Sequence, residues 1–112
     1  IMKYDNENIF AKILKDKIPC DKVFEDEHVL SFKDINPQAK LHILIIPKKK
    51  FIDIADFLEN ADEEYQSSFW SSVNKIIIKL ELRDKGFQIK AHKGKDGGQE
   101  VFHFHLHLLS NS

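Results

Sequence analysis

The chain has 112 residues, and its 17 Lys and Arg residues nearly balance its 18 Asp and Glu residues, giving a formal net charge of −1. A nearly neutral chain is not expected to bind nucleic acid or an anionic membrane through bulk electrostatic attraction. Its length matches that of one compact domain, so we expect residues 1–112 to form a single domain.

Cysteine content and hydropathy bear on the compartment. Cys20 is the only cysteine, which excludes an intrachain disulfide and favours a reducing location, the cytoplasm. The longest apolar runs, near residues 44–46 and 75–82, are shorter than the ~20 residues of a membrane helix, and the polar start of the chain does not resemble a signal peptide. A membrane is therefore not an expected partner.

The first half of the chain predicts one short helix and three strands. Apolar residues at helical spacing follow a possible cap at Asp5 or Asn6, which predicts an amphipathic helix over residues 6–17. Three runs rich in β-branched and aromatic residues are separated by polar turns and predict strands. These runs are residues 23–24, 29–32 and 41–46.

The second half predicts a long helix and two more strands. Asn60 and Glu63 have the spacing of a capping box, and apolar residues then recur every three or four positions as far as residues 85–86. Residues 87–91 and 101–110 alternate between apolar and polar side chains. Short connections between successive strands favour antiparallel pairing. The sequence therefore predicts an α+β domain with a five-stranded antiparallel sheet, one short N-terminal helix and one long helix.

Residues 101–110, Val-Phe-His-Phe-His-Leu-His-Leu-Leu-Ser, place His103, His105 and His107 at alternate positions. Successive side chains of a strand point to opposite faces, and residues two apart lie ~6.6–6.8 Å apart on one face. The three histidines would line one face, and the apolar residues between them would pack against helices on the other. Packing alone does not explain this row, since His has only a modest strand preference.

Two kinds of chemistry suit a row of imidazoles. Three histidines on one flat strand span ~13 Å and cannot all reach a zinc ion at ~2.0–2.1 Å, but two of them with a further ligand such as His42 or His92 can. Alternatively, one imidazole is a nucleophile, and its neighbours fix its tautomer and stabilise developing charge. The histidines alone leave both possibilities open.

A glycine-rich loop, Gly-Lys-Asp-Gly-Gly-Gln at residues 94–99, leads directly into the histidine segment. Glycines allow backbone N–H groups to approach a phosphate and form an anion-binding nest. An Asp-Gly pair is also common in plain hairpin turns. Next to three histidines, the loop favours a phosphate site.

Together these residues resemble the histidine-triad (HIT) nucleotide-binding family, whose signature is His-x-His-x-His followed by two apolar residues. Here the signature is residues 103–109, preceded by Gly-Gly-Gln-Glu-Val at 97–101. Residues 34–39, Asp-Ile-Asn-Pro-Gln-Ala, are similar to the phosphoramidase (Hint-like) branch. Other segments also match in order and spacing, so the resemblance covers nearly the whole chain: 8–13, 17–19, 32–39 and 42–49.

The resemblance implies a purine nucleoside phosphoramidase. His105 would attack the α-phosphorus of a nucleoside 5′-phosphoramidate, expel an amine and form a nucleotidyl-histidine, which water cleaves to release AMP or GMP. His107 and the backbone of the glycine loop would stabilise charge on the phosphoryl oxygens, and His103 and His42 would be supporting imidazoles. No cofactor is implied.

The resemblance also implies the nucleotide contacts. Asp34 would accept hydrogen bonds from the ribose hydroxyls. The residues that match the apolar slot for the purine are Ile9, Phe10, Ile13, Ile18, Phe32 and Ile35. The residues that match the phosphate side are His92, Gly98, Gln99, Glu100 and Val101. His92 and Glu100 replace the asparagine and serine found in many members of the family.

A homodimer that binds a purine nucleotide of the AMP or GMP type is the assembly that the resemblance implies. Trp70 on the long predicted helix is compatible with dimerisation. Two other functions are compatible with the same residues. One is a metal-dependent hydrolase that uses histidines of the triad, and the other is a nucleotide-binding regulatory module with little catalysis.

Overall fold

A five-stranded antiparallel sheet organises residues 2–112, the part of the chain that the computed structural model describes. In chain order the strands are β1 Lys22–Glu25, β2 Val29–Lys33, β3 Leu41–Pro47, β4 Gln88–Lys90 and β5 Leu106–Ser110. Their spatial order is β1-β2-β3-β5-β4, so β5 lies between β3 and β4. The predicted α+β class and the five-stranded antiparallel sheet are confirmed.

Three α-helices accompany the sheet within residues 2–112: α1 Ile9–Leu14, α2 Ile54–Asn60 and α3 Glu63–Lys79. Each follows an N-cap whose side chain accepts a hydrogen bond from a backbone N–H three residues on, and the caps are Asn8, Asp53 and Asp62. None of these helices combines the length and apolarity needed to cross a membrane.

Several predicted boundaries were wrong, and α2 was missed. Asn60 closes α2 instead of capping the long helix, because Asp62 takes the cap position and accepts from the Tyr65 N–H at 2.7 Å. The long helix ends at Lys79 because Glu81 takes a left-handed conformation with φ of 57°. The first helix is shorter than residues 6–17 because Asn8 is its cap and Asp16 also has positive φ.

The last two strands are also shorter than predicted. β4 has three residues, and β5 begins at Leu106, so residues 101–105 approach the sheet in an irregular conformation. His107 therefore lies within β5, whereas His103 and His105 lie before it. The alternation of faces nevertheless continues through this segment, since Phe104 packs in the same core as Leu106 and Leu108.

The two faces of the sheet are covered differently. On the closed face, α2 and α3 pack against the sheet around Phe57, Phe69 and Phe104, whose rings lie 4.8–5.5 Å apart. On the open face, the six-residue helix α1 is packed through Phe10 and Ile13 against β2 and β3. The open face carries a cavity beside α1.

Candidate functional site

The cavity on the open face has a volume of about 660 Å³ and is lined by residues from α1, β2, β3, β4, β5 and the glycine loop. That volume is in the range of small-molecule sites in proteins. Apolar side chains such as Phe32 line one part of it, and His105 and His107 line another part, where Phe10 borders His105. The cavity thus joins an apolar slot to a group of imidazoles.

His105 is buried at the cavity, with its ring 4.9 Å from that of Phe10. Its Nδ1 lies 2.7 Å from the backbone oxygen of His103. A carbonyl oxygen can only accept, so Nδ1 carries the hydrogen and Nε2 keeps its lone pair. Burial lowers the pKa of His105. The ring is therefore neutral at physiological pH, with Nε2 available as a nucleophile.

His42 and His107 are joined by a hydrogen bond of 2.9 Å between His42 Nε2 and His107 Nδ1. The backbone N–H of Gln38 donates to His42 Nδ1 at 3.1 Å, so the hydrogen of His42 must be on Nε2. His42 then donates to His107 Nδ1, which places the hydrogen of His107 on its Nε2. Two neighbouring histidines of the cavity thus differ in chemistry, because His105 has a bare Nε2 and His107 an Nε2–H donor.

His103 is fully buried, with 0% of its surface exposed, and it does not line the cavity. Its Nε2 donates to the Pro47 carbonyl at 2.8 Å, and its Nδ1 lies 2.6 Å from the Tyr4 hydroxyl. Burial lowers the pKa of His103 to about 4. The ring is therefore neutral and held from both sides.

Positive charge on one imidazole of this group makes protonation of its neighbours less favourable. Burial, followed by the neighbouring His105, His42 and His92, lowers the pKa of His107 to about 4. The rings of His105 and His107 are 5.0 Å apart, and those of His92 and His107 are 5.2 Å apart. An anion such as a phosphoryl group would relieve this repulsion, because it favours positive charge on its neighbours.

The glycine loop is held by hydrogen bonds of the Gln99 and His92 side chains. Gln99 is buried, donates to the carbonyls of Ile52 and Val101, and accepts from the Gly94 N–H. His92 Nδ1 donates to the Gly97 carbonyl at 2.9 Å. Gly98 has φ of 83°, a conformation that other residues rarely adopt. The loop is therefore a fixed wall of the cavity.

Asp34 follows β2 at the edge of the cavity. One of its carboxylate oxygens accepts from the Asn36 N–H at 2.8 Å, and the other lies 3.3 Å from His42 Nε2. Its side chain is 17% exposed, so the second oxygen remains within reach of a ligand. A carboxylate in this position can accept hydrogen bonds from neighbouring hydroxyl groups.

Asp34, His42 and His107 bring three potential metal-ligand atoms within 4.8 Å of one another. A metal requires a bare imidazole nitrogen. His42 Nε2 carries its hydrogen as long as the Gln38 N–H donates to Nδ1, so it cannot also bind a metal. The residues in this arrangement do not fit a resident metal ion.

Comparison with known proteins identifies the family. The HIT domain family model matches residues 15–112. This chain belongs to the HIT family. A 14 kDa zinc-binding protein of Zea mays is 44% identical over an alignment of 107 residues that covers 94% of this chain and 82% of the relative.

Solved structures of HIT proteins share the fold described above. A HIT family hydrolase from Legionella pneumophila has a TM-score of 0.85 and 39% identity, with 95% of this chain and 94% of the other covered. A histidine triad nucleotide-binding protein from Candida albicans has a TM-score of 0.82 and 33% identity, with 95% and 76% covered.

In this HIT chain, most residues predicted for the site line the cavity. They are Ile9, Phe10, Ile13, Ile18, Phe32, Asp34, Ile35, His42, His92, Gly98, Glu100, Val101, His105 and His107. Ile35 is at the rim, with 87% of its surface exposed. Two predicted residues do not line the cavity. His103 lies behind the ring of His105, and Gln99 is buried inside the loop that it holds.

The sequence analysis missed several residues at the HIT site, among them Tyr4, Gln38 and Lys90. Tyr4 contacts His103 across 99 positions of the chain, so no local pattern connects them. Gln38 acts through its backbone N–H, which a side-chain pattern does not reveal. Lys90 lines the cavity beside His107, because the two residues are directly paired between β4 and β5. Assignment of that strand register would have identified Lys90.

Proposed function

We propose that this HIT protein is a hydrolase of purine nucleoside 5′-phosphoramidates that forms a nucleotidyl-histidine intermediate at His105. The observation that carries the proposal is the hydrogen bond from His105 Nδ1 to the His103 carbonyl, which leaves a bare, neutral Nε2 on a cavity large enough for a nucleotide. The structural relatives described as a hydrolase and as a nucleotide-binding protein support the same class of function.

The proposed reaction has two displacements at phosphorus. The His105 Nε2 lone pair attacks the α-phosphorus, and the P–N bond breaks with its electron pair on the amine nitrogen, which takes a proton from water. Water then attacks the phosphorus and gives a proton to the hydroxide left by the first step, the P–Nε2 bond breaks with its electron pair returning to Nε2, and the nucleoside monophosphate leaves. His107 Nε2–H donates to a phosphoryl oxygen as charge develops there.

The register of the sheet indicates how a substrate lies in the cavity. Phe32 pairs with Leu44, Leu44 with His107, and His107 with Lys90, so these four cavity residues form one row across β2, β3, β5 and β4. Adjacent strands are ~4.8 Å apart, so the row is ~14 Å long. We place the base near Phe32 and α1, the phosphate at His105 and His107, and the leaving group near Lys90.

Asp34 would then bind the ribose, because it lies between the apolar slot and the imidazoles and offers an accessible carboxylate oxygen. Ile9, Phe10, Ile13 and Ile18 of the α1 side would cover the purine. The backbone of the glycine loop around Gly98 would face the phosphate. Glu100, also on the cavity, lies close enough to His105 for its charge to oppose the lowering of that residue's pKa.

The assembly and location are also proposals. We propose a homodimer, because large apolar residues are exposed on α3 and near β4: Trp70, Ile78, Phe87 and Ile89. We further propose a cytoplasmic protein that requires no cofactor. Light scattering of the purified protein tests the dimer, and a monomeric mass at micromolar concentration would contradict it.

The test of the proposed function is intact-protein mass spectrometry after rapid mixing with an adenosine phosphoramidate. We expect a transient adduct of the mass of AMP that maps to His105, and release of AMP. His105→Ala should form no adduct and should lower turnover by at least ~10³-fold. His28→Ala, a substitution of the same kind on the hairpin between β1 and β2, is the matched control and should retain full turnover.

Turnover and binding measurements on the same protein separate the alternatives. Turnover that a chelator abolishes and zinc restores would replace the proposal with a metal-dependent hydrolase. AMP binding without measurable turnover would support a regulatory module instead. Undiminished turnover by His105→Ala would remove His105 from the mechanism.

A further inference from the structure

The N-terminal arm, residues 2–8, reaches the triad through one side chain. The Tyr4 hydroxyl lies 2.6 Å from His103 Nδ1, and the Tyr4 ring meets the His103 ring edge-on at a centroid distance of 5.7 Å. The ammonium group of Lys50 lies 5.8 Å from the centre of the Tyr4 ring. The arm thus contacts a residue 99 positions away that does not itself line the cavity.

The direction of the Tyr4 hydrogen bond follows from the other side of the His103 ring. Nε2 faces the Pro47 carbonyl at 2.8 Å and must donate to it. Nδ1 of the neutral ring is then bare, so the Tyr4 hydroxyl is the donor and Nδ1 the acceptor. Tyr4 and Pro47 together select one tautomer of His103 and fix the orientation of its ring.

His103 in turn fixes the nucleophile through its backbone. Its carbonyl oxygen accepts from His105 Nδ1, the bond that leaves His105 Nε2 bare. This carbonyl lies before β5 begins at Leu106, so the strand ladder does not hold it. The hydrogen bonds that hold His103 and Phe104 include the bond from the Phe104 N–H to the Phe51 carbonyl at 2.7 Å and the two bonds of the His103 ring. The Phe104 N–H shares a peptide unit with the His103 carbonyl, and the Phe104 ring packs in the core of the closed face, so the His103 ring is the remaining part of this segment that a hydrogen bond from the arm can fix.

From this sequence of contacts we infer that Tyr4 is a positioning residue for the nucleophile. Its hydroxyl locks the His103 ring, and the locked ring holds the carbonyl that keeps the hydrogen of His105 on Nδ1. The inference rests on the proposed role of His105. It makes the N-terminal arm a requirement for a correctly oriented nucleophile, although the arm contributes no atom to the cavity.

Tyr4→Phe tests the inference because it removes one oxygen and keeps the ring beside His103 and Lys50. The buried His103 Nδ1 then has no donor, and we expect kcat to fall roughly tenfold with KM changed by less than about twofold. Tyr65→Phe is the matched control. Tyr65, the chain's other tyrosine, donates to the His28 carbonyl at 3.0 Å on the closed face, and its loss should leave kcat unchanged.

Nitrogen-15 spectra of the histidine rings give a readout that does not depend on turnover. The wild type should show one tautomer each for His103, with the hydrogen on Nε2, and for His105, with the hydrogen on Nδ1. Tyr4→Phe should shift the His103 Nδ1 signal and give His105 a second tautomer. Tyr65→Phe should leave both rings unchanged, even if both variants unfold at a lower temperature than the wild type.

The outcomes distinguish this inference from the proposed function. A Tyr4→Phe variant with wild-type kcat, or with unchanged His105 ring signals, would overturn the positioning role. If His105→Ala retains turnover, the proposed mechanism fails, whereas the ring spectra of Tyr4→Phe still decide whether Tyr4 controls the tautomer of His105.

Discussion

The two faces of the sheet differ in what their buried residues do. The closed face is covered by α2 and α3, and its buried core is almost entirely apolar. The open face is covered by α1 alone, and His42, His103 and His105 are buried there. Burial of apolar surface stabilises the fold without hydrogen-bond partners, whereas a buried imidazole has polar ring nitrogens whose desolvation must be offset by hydrogen bonds. The closed face therefore provides most of the stability, and the open face provides the chemistry.

Backbone groups provide most of the partners that the open face needs. The Gln38 N–H binds His42, the Pro47 carbonyl binds His103, and the His103 carbonyl binds His105. The Pro47 carbonyl belongs to β3, the Gln38 N–H to the loop between β2 and β3, and the His103 carbonyl to the irregular segment before β5. The orientation of these three rings thus depends largely on backbone groups, and the side-chain hydrogen bonds are those between Tyr4 and His103 and between His42 and His107.

The largest loss of stability is expected when a buried residue of the closed face is truncated. Phe57 is fully buried, and its ring stacks on that of Phe104 at 4.8 Å. Phe57→Ala should lower the free energy of unfolding by about 3–5 kcal/mol, measured by denaturant titration. Leu58→Ala changes the exposed neighbour on the same helix and should lower it by less than about 0.5 kcal/mol. Equal effects of the two substitutions would contradict the assignment of stability to this face.

The histidines buried on the open face should make the free energy of unfolding depend on pH. The folded pKa of His103, about 4, lies below its ordinary value of 6.5, so the unfolded chain binds a proton first as pH falls. Stability is therefore complete above pH 6.5 and is lost between 6.5 and 4, by on the order of 2–3 kcal/mol from His103 alone. Unfolding free energies measured across this range should show a shallower slope in His103→Gln, which cannot titrate. An unchanged slope would contradict the prediction.

Substrate affinity should depend on Asp34, which lies between the apolar slot and the imidazoles. Asp34→Asn keeps the size of the side chain but removes its charge and one acceptor, so we expect KM to rise about tenfold with a smaller change in kcat. Asp21→Asn is the control, because Asp21 also lines the cavity but lies 3.7 Å from Lys33. A fall in kcat at constant KM would show instead that Asp34 acts by orienting His42, 3.3 Å away.

Sequence patterns predicted the closed face better than the open one. Regular alternation and helical spacing revealed the five strands and the long helix, because a buried face requires apolar residues at a fixed period. The alternation of residues 101–105 predicts strand, and the alternation of faces does continue there, as Phe104 shows, but the strand ladder begins only at Leu106. The helix α2 was missed because Asn60 and Glu63 have the spacing of a capping box, which predicts that a helix begins at Asn60. In the structure Asn60 is the last residue of α2, and Asp62 caps α3.

The cavity itself was predictable from the sequence only through the family resemblance. That resemblance named fourteen residues that now line one cavity. The resemblance did not connect Tyr4 with His103, or Lys90 with His107, because the first pair is distant along the chain and the second depends on strand register.

Specificity for the leaving group should be sharpened by Lys90, at the end of the row that begins with Phe32. Lys90 forms no ion pair with any of residues 2–112, while Glu100 is a competing charge on the same cavity. Lys90→Met should lower kcat/KM about two- to fivefold for phosphoramidates of amino acids, whose leaving group carries a carboxylate, relative to those of neutral alkylamines. Lys33→Met, at the other end of the cavity, should not change this ratio. Equal ratios in wild type and Lys90→Met would rule out the role.

The smallest expected effect concerns the one side-chain polar atom within residues 2–112 that is buried without a hydrogen-bond partner, the Ser31 hydroxyl. Ser31 is 0% exposed and pairs with Phe24 and Ile45 in the sheet. Ser31→Ala removes a group that is desolvated without compensation, so we expect the free energy of unfolding to stay constant or rise by up to about 1 kcal/mol. Ser72→Ala is the contrasting substitution. Ser72 is also buried, but its hydroxyl donates to the Asp26 carboxylate, so its loss should lower stability by about 1–2 kcal/mol. If Ser31→Ala is as destabilising as Ser72→Ala, the closed face depends on polar contacts as much as the open face does.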